Sequence, residues 1–123
     1  MTGRGRVLIV EDDADLREMM CLLLAHEGFE ADAVGDGAAA LDRLRSAAPR
    51  PQLILLDLMM PRMDGWQFCR EKASDPSLAE IPVIVLSAVR RERTEEFATM
   101  VLPKPLDFEA LLSAVRSHCG KPA

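Results

Sequence analysis

Cysteine is scarce and badly placed for cross-linking: Cys21, Cys69 and Cys119 are odd in number, far apart and without a Cys-x-x-Cys or Cys/His ligand spacing. That argues against a disulfide framework and a structural zinc site, leaving reduced, partly buried thiols. Long apolar runs are missing too. No stretch approaches the ~18 consecutive apolar residues of a membrane span, and the chain reaches the acidic residue Glu11 without the apolar core of a secretory leader. The expectation is a cytoplasmic protein with no membrane insertion. Positive charge is in deficit, with 15 Lys and Arg against 20 Asp and Glu and a net charge of −5. A protein whose main partner is nucleic acid needs a clustered basic surface. The "GRGR" stretch at residues 3–6 is the only basic patch near a terminus and reads as a solvated end. Tyrosine is absent altogether.

What is present is alternation. The 123 residues suffice for one domain and one core, taken as residues 1–123 with 1–5 and 120–123 as flexible ends. Apolar runs of strand character stand at 7–10, 53–56 and 83–86, with weaker ones at 31–34 and 100–102. Helix-length segments separate them. Leu16, Met19, Met20, Leu23 and Leu24 recur at helical spacing within 14–27, and Gly28 is placed to end that helix. Further helices are expected over 37–48, from Trp66 to about Ser74, and after Asp107, a candidate N-cap ahead of Phe108, Leu111, Leu112 and Val115. Core strands this apolar imply a parallel sheet covered on both faces. Right-handed crossovers give a doubly wound α/β fold of five strands in the flavodoxin-like order 2-1-3-4-5, with five helices.

The carboxyl ends of the strands carry the chemistry. "LIVEDD" ends in Glu11, Asp12 and Asp13, "LILLD" in Asp57, "VIVLSA" contains Ser87, and "VLPKP" contains Lys104. In an open doubly wound sheet these ends share one edge. The carboxylates of Glu11, Asp12 and Asp57 packed together repel, and a cation removes the conflict. Hard oxygen donors suit Mg²⁺ or Mn²⁺, and the lack of Cys or His at any strand end disfavours zinc and copper. Lys104 adds a second positive charge and Ser87 a hydroxyl donor. This set suits a phosphoryl group, neutralised by metal and ammonium and attacked in line by a carboxylate. Asp57, on the central strand, is the best candidate nucleophile, with an aspartyl phosphate as product.

The motifs "VLIVEDDADLR", "LILLDLMMPRMDGW", "PVIVLSA" and "LPKPLD" together resemble, over nearly the whole chain, a response-regulator receiver domain of two-component signalling, of the single-domain type. The resemblance implies Asp57 as phosphoacceptor, with Glu11 and Asp12 holding Mg²⁺ and the backbone carbonyl of Met59 completing the coordination. Ser87 is then the switch hydroxyl and Lys104 the phosphate-pairing lysine. Asp13 supports the start of the first helix, and Lys104-Pro105 is expected to be a cis peptide. The implied partners are a histidine kinase or phosphotransfer protein and an unidentified downstream protein, with no nucleic acid contacted. The protein is then no enzyme beyond its own phosphorylation and dephosphorylation. A relay intermediate or phosphate sink remains open.

Two departures from the family stand out. The segment from Ser87 to Lys104 is shorter than usual by ~5 residues, a little over one helical turn, so the fourth helix is expected to be curtailed. Val101 occupies a position that is usually aromatic. Other classes fit poorly. A phosphohydrolase of the haloacid-dehalogenase type needs a second Asp where Met59 stands, and a flavin module needs a hydroxyl- and glycine-rich loop where "EDDAD" is acidic. Met19, Met20, Met59 and Met60 read as core and site-wall packing. Trp66 reads as a packing residue near the site, and His26 and His118 as structural residues near helix C-termini.

Overall fold

The computed structural model describes residues 5–46, 50–57, 65–87, 99–103 and 107–118, with the backbone alone at 65, 66 and 87. The strands are β1 (Gly5–Val10), β2 (Phe29–Val34), β3 (Leu53–Asp57), β4 (Val83–Ser87) and β5 (Met100–Pro103). They form one parallel sheet in the order β2-β1-β3-β4-β5, as the alternation and handedness arguments require. The described helices are α1 (Ala14–His26), α2 (Gly37–Arg45), α3 (Gly65–Ala73) and α4 (Phe108–His118). The helix expected between β4 and β5 falls on residues 88–98, which lie outside the described ones.

Strand alternation divides the core in two. Val7, Ile9, Leu53, Leu55, Ile84 and Leu86 point to one face, where Met20 and Leu24 of α1 and Leu111, Leu112 and Val115 of α4 cover them. Leu8, Val10, Ile54, Leu56, Val83 and Val85 point to the other, under Leu41 and Leu44 of α2 and Phe68 and Cys69 of α3. Every residue of β3 is buried, which is why this strand reads as an unbroken apolar run. The edge strand β2 is mixed instead. Its Asp32 pairs with Arg43 of α2, and its Glu30 with Arg6 of β1 at 3.1 Å, so acids are tolerated on an edge that would otherwise invite pairing.

Helix ends follow the side chains that can satisfy them. Asp13 caps α1, its Oδ1 accepting from the N–H groups of Asp15 at 3.0 Å and Leu16 at 3.2 Å. Asp36 caps α2 through Ala39 N–H at 2.8 Å, and Asp107 caps α4 through Glu109 N–H at 3.0 Å and Ala110 N–H at 3.3 Å. Gly28, at φ 94° just beyond α1, takes the left-handed conformation that ends the helix. Arg116 of α4 bonds Glu27 at 3.1 Å and ties the two helices on that face.

The structure corrects three expectations. Gly5, assigned to a flexible end, already belongs to β1 and stands opposite Phe29. Strand β2 starts at Phe29, two residues earlier than expected, because that ring is buried in the α1–α4 core. Met19, read as core packing, is 52% exposed together with Leu22 at 65%. Helix α1 sits with Met20 and Leu24 facing the sheet, and Met19, one residue and about 100° round the helix from Met20, turns to solvent.

Lys72 on α3 is a residue whose position is not legible in the sequence. It is buried, and its Nζ donates to the carbonyl of Ala79 at 3.0 Å. Burial pushes its ammonium below the usual lysine range, the nearby Cys69 sulfur acting the other way. Ala79 is itself exposed, so water can replace the amine on its carbonyl. The apolar stem of Lys72 therefore matters more than its charge. Lys72→Met is expected to change stability by less than about 1 kcal/mol. Lys72→Ala, which forfeits the buried methylenes, should cost roughly 2 kcal/mol. Urea unfolding distinguishes them: equal losses would show that the hydrogen bond dominates.

Candidate functional site

The acidic group is assembled by strand register. Val10 of β1 stands opposite Leu56 of β3, so the next residue on each strand, Glu11 and Asp57, emerges at the same carboxyl edge. The N–H of Glu11 continues the ladder for one more step, donating to Val34 O at 3.1 Å. Its carboxylate turns back on the loop, where Oε2 accepts the N–H of Asp13 at 3.1 Å. Asp12 lies between them and is exposed, while Glu11 and Asp57 are buried, at 1% and 4% exposure. One carboxylate oxygen from each of Glu11, Asp12 and Asp57 lies within 4.8 Å of the other two. Asp13, the third acid of "EDD", is used as the cap of α1.

Three like charges this close repel by roughly 3–4 kcal/mol per pair at an effective dielectric of about 20. A divalent cation reverses that balance. The donor set fits a hard ion: all three groups are carboxylates, two are buried and pre-placed, and the third faces solvent, so water can complete a coordination shell. Among the described residues no His or Cys joins the group.

Ser87 ends β4, its backbone in register with Pro103 of β5, and Leu86 stands opposite Asp57. The Ser87 backbone thus reaches the same edge as the acids. The Ser87 and Trp66 side chains, the Met59 carbonyl, Lys104 and the Lys104-Pro105 peptide lie outside the described residues, although Pro103 carries the chain to the position immediately before Lys104. Val101, at the usually aromatic position, is half-buried beside Val85 on the α2–α3 face.

One residue at the site escaped the sequence reading. Arg17 of α1 donates from Nη1 to the carbonyl of Glu11 at 2.7 Å. Helical side chains lean towards the N-terminus of their helix, so a long residue in the second turn can reach back over the loop that precedes it. That lean is the only hint in the sequence, and it does not choose among the possible acceptors.

Comparison with known proteins gives one consistent result. The family model described as the response regulator receiver domain matches residues 7–116. The DNA-binding response regulator MtrA of Mycobacterium tuberculosis is 44% identical over 87 residues, covering 71% of this chain and 36% of MtrA. The chain thus spans about a third of the length of this relative. Among solved structures, the signal receiver domain of a histidine kinase from Syntrophus aciditrophicus superposes with a TM-score of 0.81 at 33% identity, covering 92% of this chain and 88% of that one. The Mn²⁺-bound form of response regulator Rcp1 superposes with a TM-score of 0.76 at 30% identity, covering 92% and 90%.

Proposed function

The chain belongs to the response regulator receiver domain family, and on that premise we propose that it accepts a phosphoryl group on Asp57 in a Mg²⁺-dependent reaction and signals through contacts with other proteins. The observation that carries this reading is the convergence of Glu11, Asp12 and Asp57 within 4.8 Å at the carboxyl edge of the sheet. In the proposed reaction a carboxylate oxygen of Asp57 attacks the phosphorus of a phosphohistidine on a kinase or phosphotransfer protein. The new O–P bond forms as the P–N bond breaks, and the electron pair stays on the leaving imidazole, which takes up a proton. Glu11, Asp12 and Asp57, with the carbonyl of Met59, would hold the ion. When bound, Mg²⁺ supplies positive charge that offsets the carboxylates and the transferring phosphoryl oxygens. Rcp1, a relative by structure, is described with Mn²⁺ bound. Lys104 would neutralise a further phosphoryl oxygen, and Ser87 would donate its hydroxyl to another.

Because Met59 stands where a phosphohydrolase of the haloacid-dehalogenase type needs its second acid, the proposal is a signalling receiver rather than a metabolic enzyme, working in the cytoplasm. Among the described residues no helix is long and apolar enough to cross a membrane. MtrA is described as DNA-binding. The acidic balance of residues 1–123 favours protein contacts by this domain itself.

The test uses Mg²⁺ and acetyl phosphate. One acid-stable, base-labile phosphoryl adduct should form and be seen by intact-mass spectrometry, and no adduct at saturating Mg²⁺ would overturn the reading. Asp12→Ala should weaken Mg²⁺ binding by at least the roughly 10–100-fold seen when a residue that merely supports a metal ligand is lost. Amide NMR shifts around Asp57 measure this directly, and an unchanged affinity would remove Asp12 from the site.

A further inference from the structure

We propose that Arg17 is a positioning residue for the cation site, and that the missing side chain at Gly35 leaves it room to act. The inference rests on the Mg²⁺-dependent reading above and extends it to two residues on different elements.

The carbonyl that Arg17 holds at 2.7 Å belongs to the peptide joining Glu11 to Asp12. The orientation of that peptide sets where the two carboxylates stand relative to each other. Glu11 is also held by its N–H on Val34 O at 3.1 Å and by its Oε2 on Asp13 N–H at 3.1 Å. The second of these closes a loop of chain that includes the Glu11–Asp12 peptide, and the guanidinium adds a direct hold on the carbonyl of that peptide. Asp12, the exposed member of the group, is the residue that would swing if that hold were released.

Gly35 forms the other side of the seat. It follows β2 directly, and a Cβ built on it would lie 3.3 Å from Nη1 of Arg17, closer than a relaxed contact allows. The positive-φ glycines of the described chain are Gly5 and Gly28, so the backbone at Gly35 does not itself demand glycine. The space favours it: a methyl group there would make the guanidinium give way by a few tenths of an ångström and so disturb its bond to the Glu11 carbonyl.

Charge and geometry make opposite predictions for this arginine. A guanidinium beside a cation site repels the ion, so if charge were all that mattered, removing Arg17 would tighten Mg²⁺ binding. If positioning dominates, removal weakens it. Arg17→Met keeps most of the apolar stem and deletes both donor and charge. It should raise the Mg²⁺ dissociation constant by about 10-fold, the lower end of the effect of groups that orient metal ligands. Gly35→Ala should move it the same way by less. The double variant should bind no more weakly than Arg17→Met alone, because both changes act through one contact.

Amide NMR titration with Mg²⁺ reads these affinities without phosphorylation. Rates of labelling by acetyl phosphate give the second readout: the half-saturating Mg²⁺ concentration should rise with the dissociation constant while the rate at saturating Mg²⁺ stays unchanged. Tighter or unaltered binding in Arg17→Met, or losses that add in the double variant, would overturn the proposal. A wild-type protein that failed to bind Mg²⁺ would overturn the reading of the site itself, so the two failures are distinguishable.

Discussion

Asp57→Asn is expected to abolish covalent phosphorylation, with no phosphoryl adduct after incubation with Mg²⁺ and acetyl phosphate under conditions that label the wild type. The amide is similar in shape and fills the same buried position at the end of β3, where the carboxylate is 4% exposed. It lacks the anionic oxygen that attacks phosphorus and cannot form the acyl phosphate. The loss is one of chemistry and not of fold, because β3 is held by apolar contacts on both faces and by the ladders to β1 and β4. Circular dichroism and the thermal midpoint of the variant provide that control. Intact-mass and peptide mass spectrometry decide the point, and the assignment is falsified if a base-labile adduct persists in a folded Asn variant. Glu11 is the competing carboxylate, buried in the same group. Its Oε2 already accepts the Asp13 N–H, which restrains it as a ligand rather than leaving it to attack.

Phe68→Ala is expected to produce the largest loss of stability among single truncations on the α2–α3 face, about 3–5 kcal/mol. Phe68 is fully buried among Leu41, Leu44, Leu78 and the inward side chains of β3 and β4. Emptying that volume loses both the transfer free energy of the ring and the contacts around the cavity. With an m-value near 2 kcal/mol per molar urea for a domain of this size, the midpoint should fall by roughly 2 M. A loss under about 1 kcal/mol would mean that α3 collapses onto the sheet without a cavity. Since whole domains are typically stable by about 5–15 kcal/mol, the variant should approach the unfolding threshold.

How much of this was legible beforehand depended on whether the signal was local. The apolar runs of β1, β3 and β4 are unbroken because those strands are buried on both faces, and such runs are visible in any window of five residues. Asp13, Gly28 and Asp107 do their work within four residues of where they stand, so their roles as caps and terminator were equally readable. The edge strand β2 was blurred by Glu30 and Asp32, whose partners Arg6 and Arg43 lie on other elements. The acidic group required one further step: strand order puts the carboxyl ends of β1 and β3 side by side, and residues 11 and 57 then follow from the ends of their runs.

The sequence by itself determined the α/β alternation, the parallel sheet, its order and the identity of the acids at its edge. Periodicity, capping and crossover handedness act over short distances or by general rule. Tertiary structure alone decided which way each helix is rolled and where each long side chain ends. Met20 faces the sheet and Met19 faces water although both fit an apolar stripe, because the roll of α1 is set by the packing of Met20 and Leu24 against Phe29 and the α4 side of the core. Lys72 lays its apolar stem in the interior with Ala79 O within reach of its amine, and Arg17 meets Glu11 in space left open at residue 35. These outcomes depend on atoms distant in the chain and on flexible side chains with several possible partners, and no local pattern selects among them.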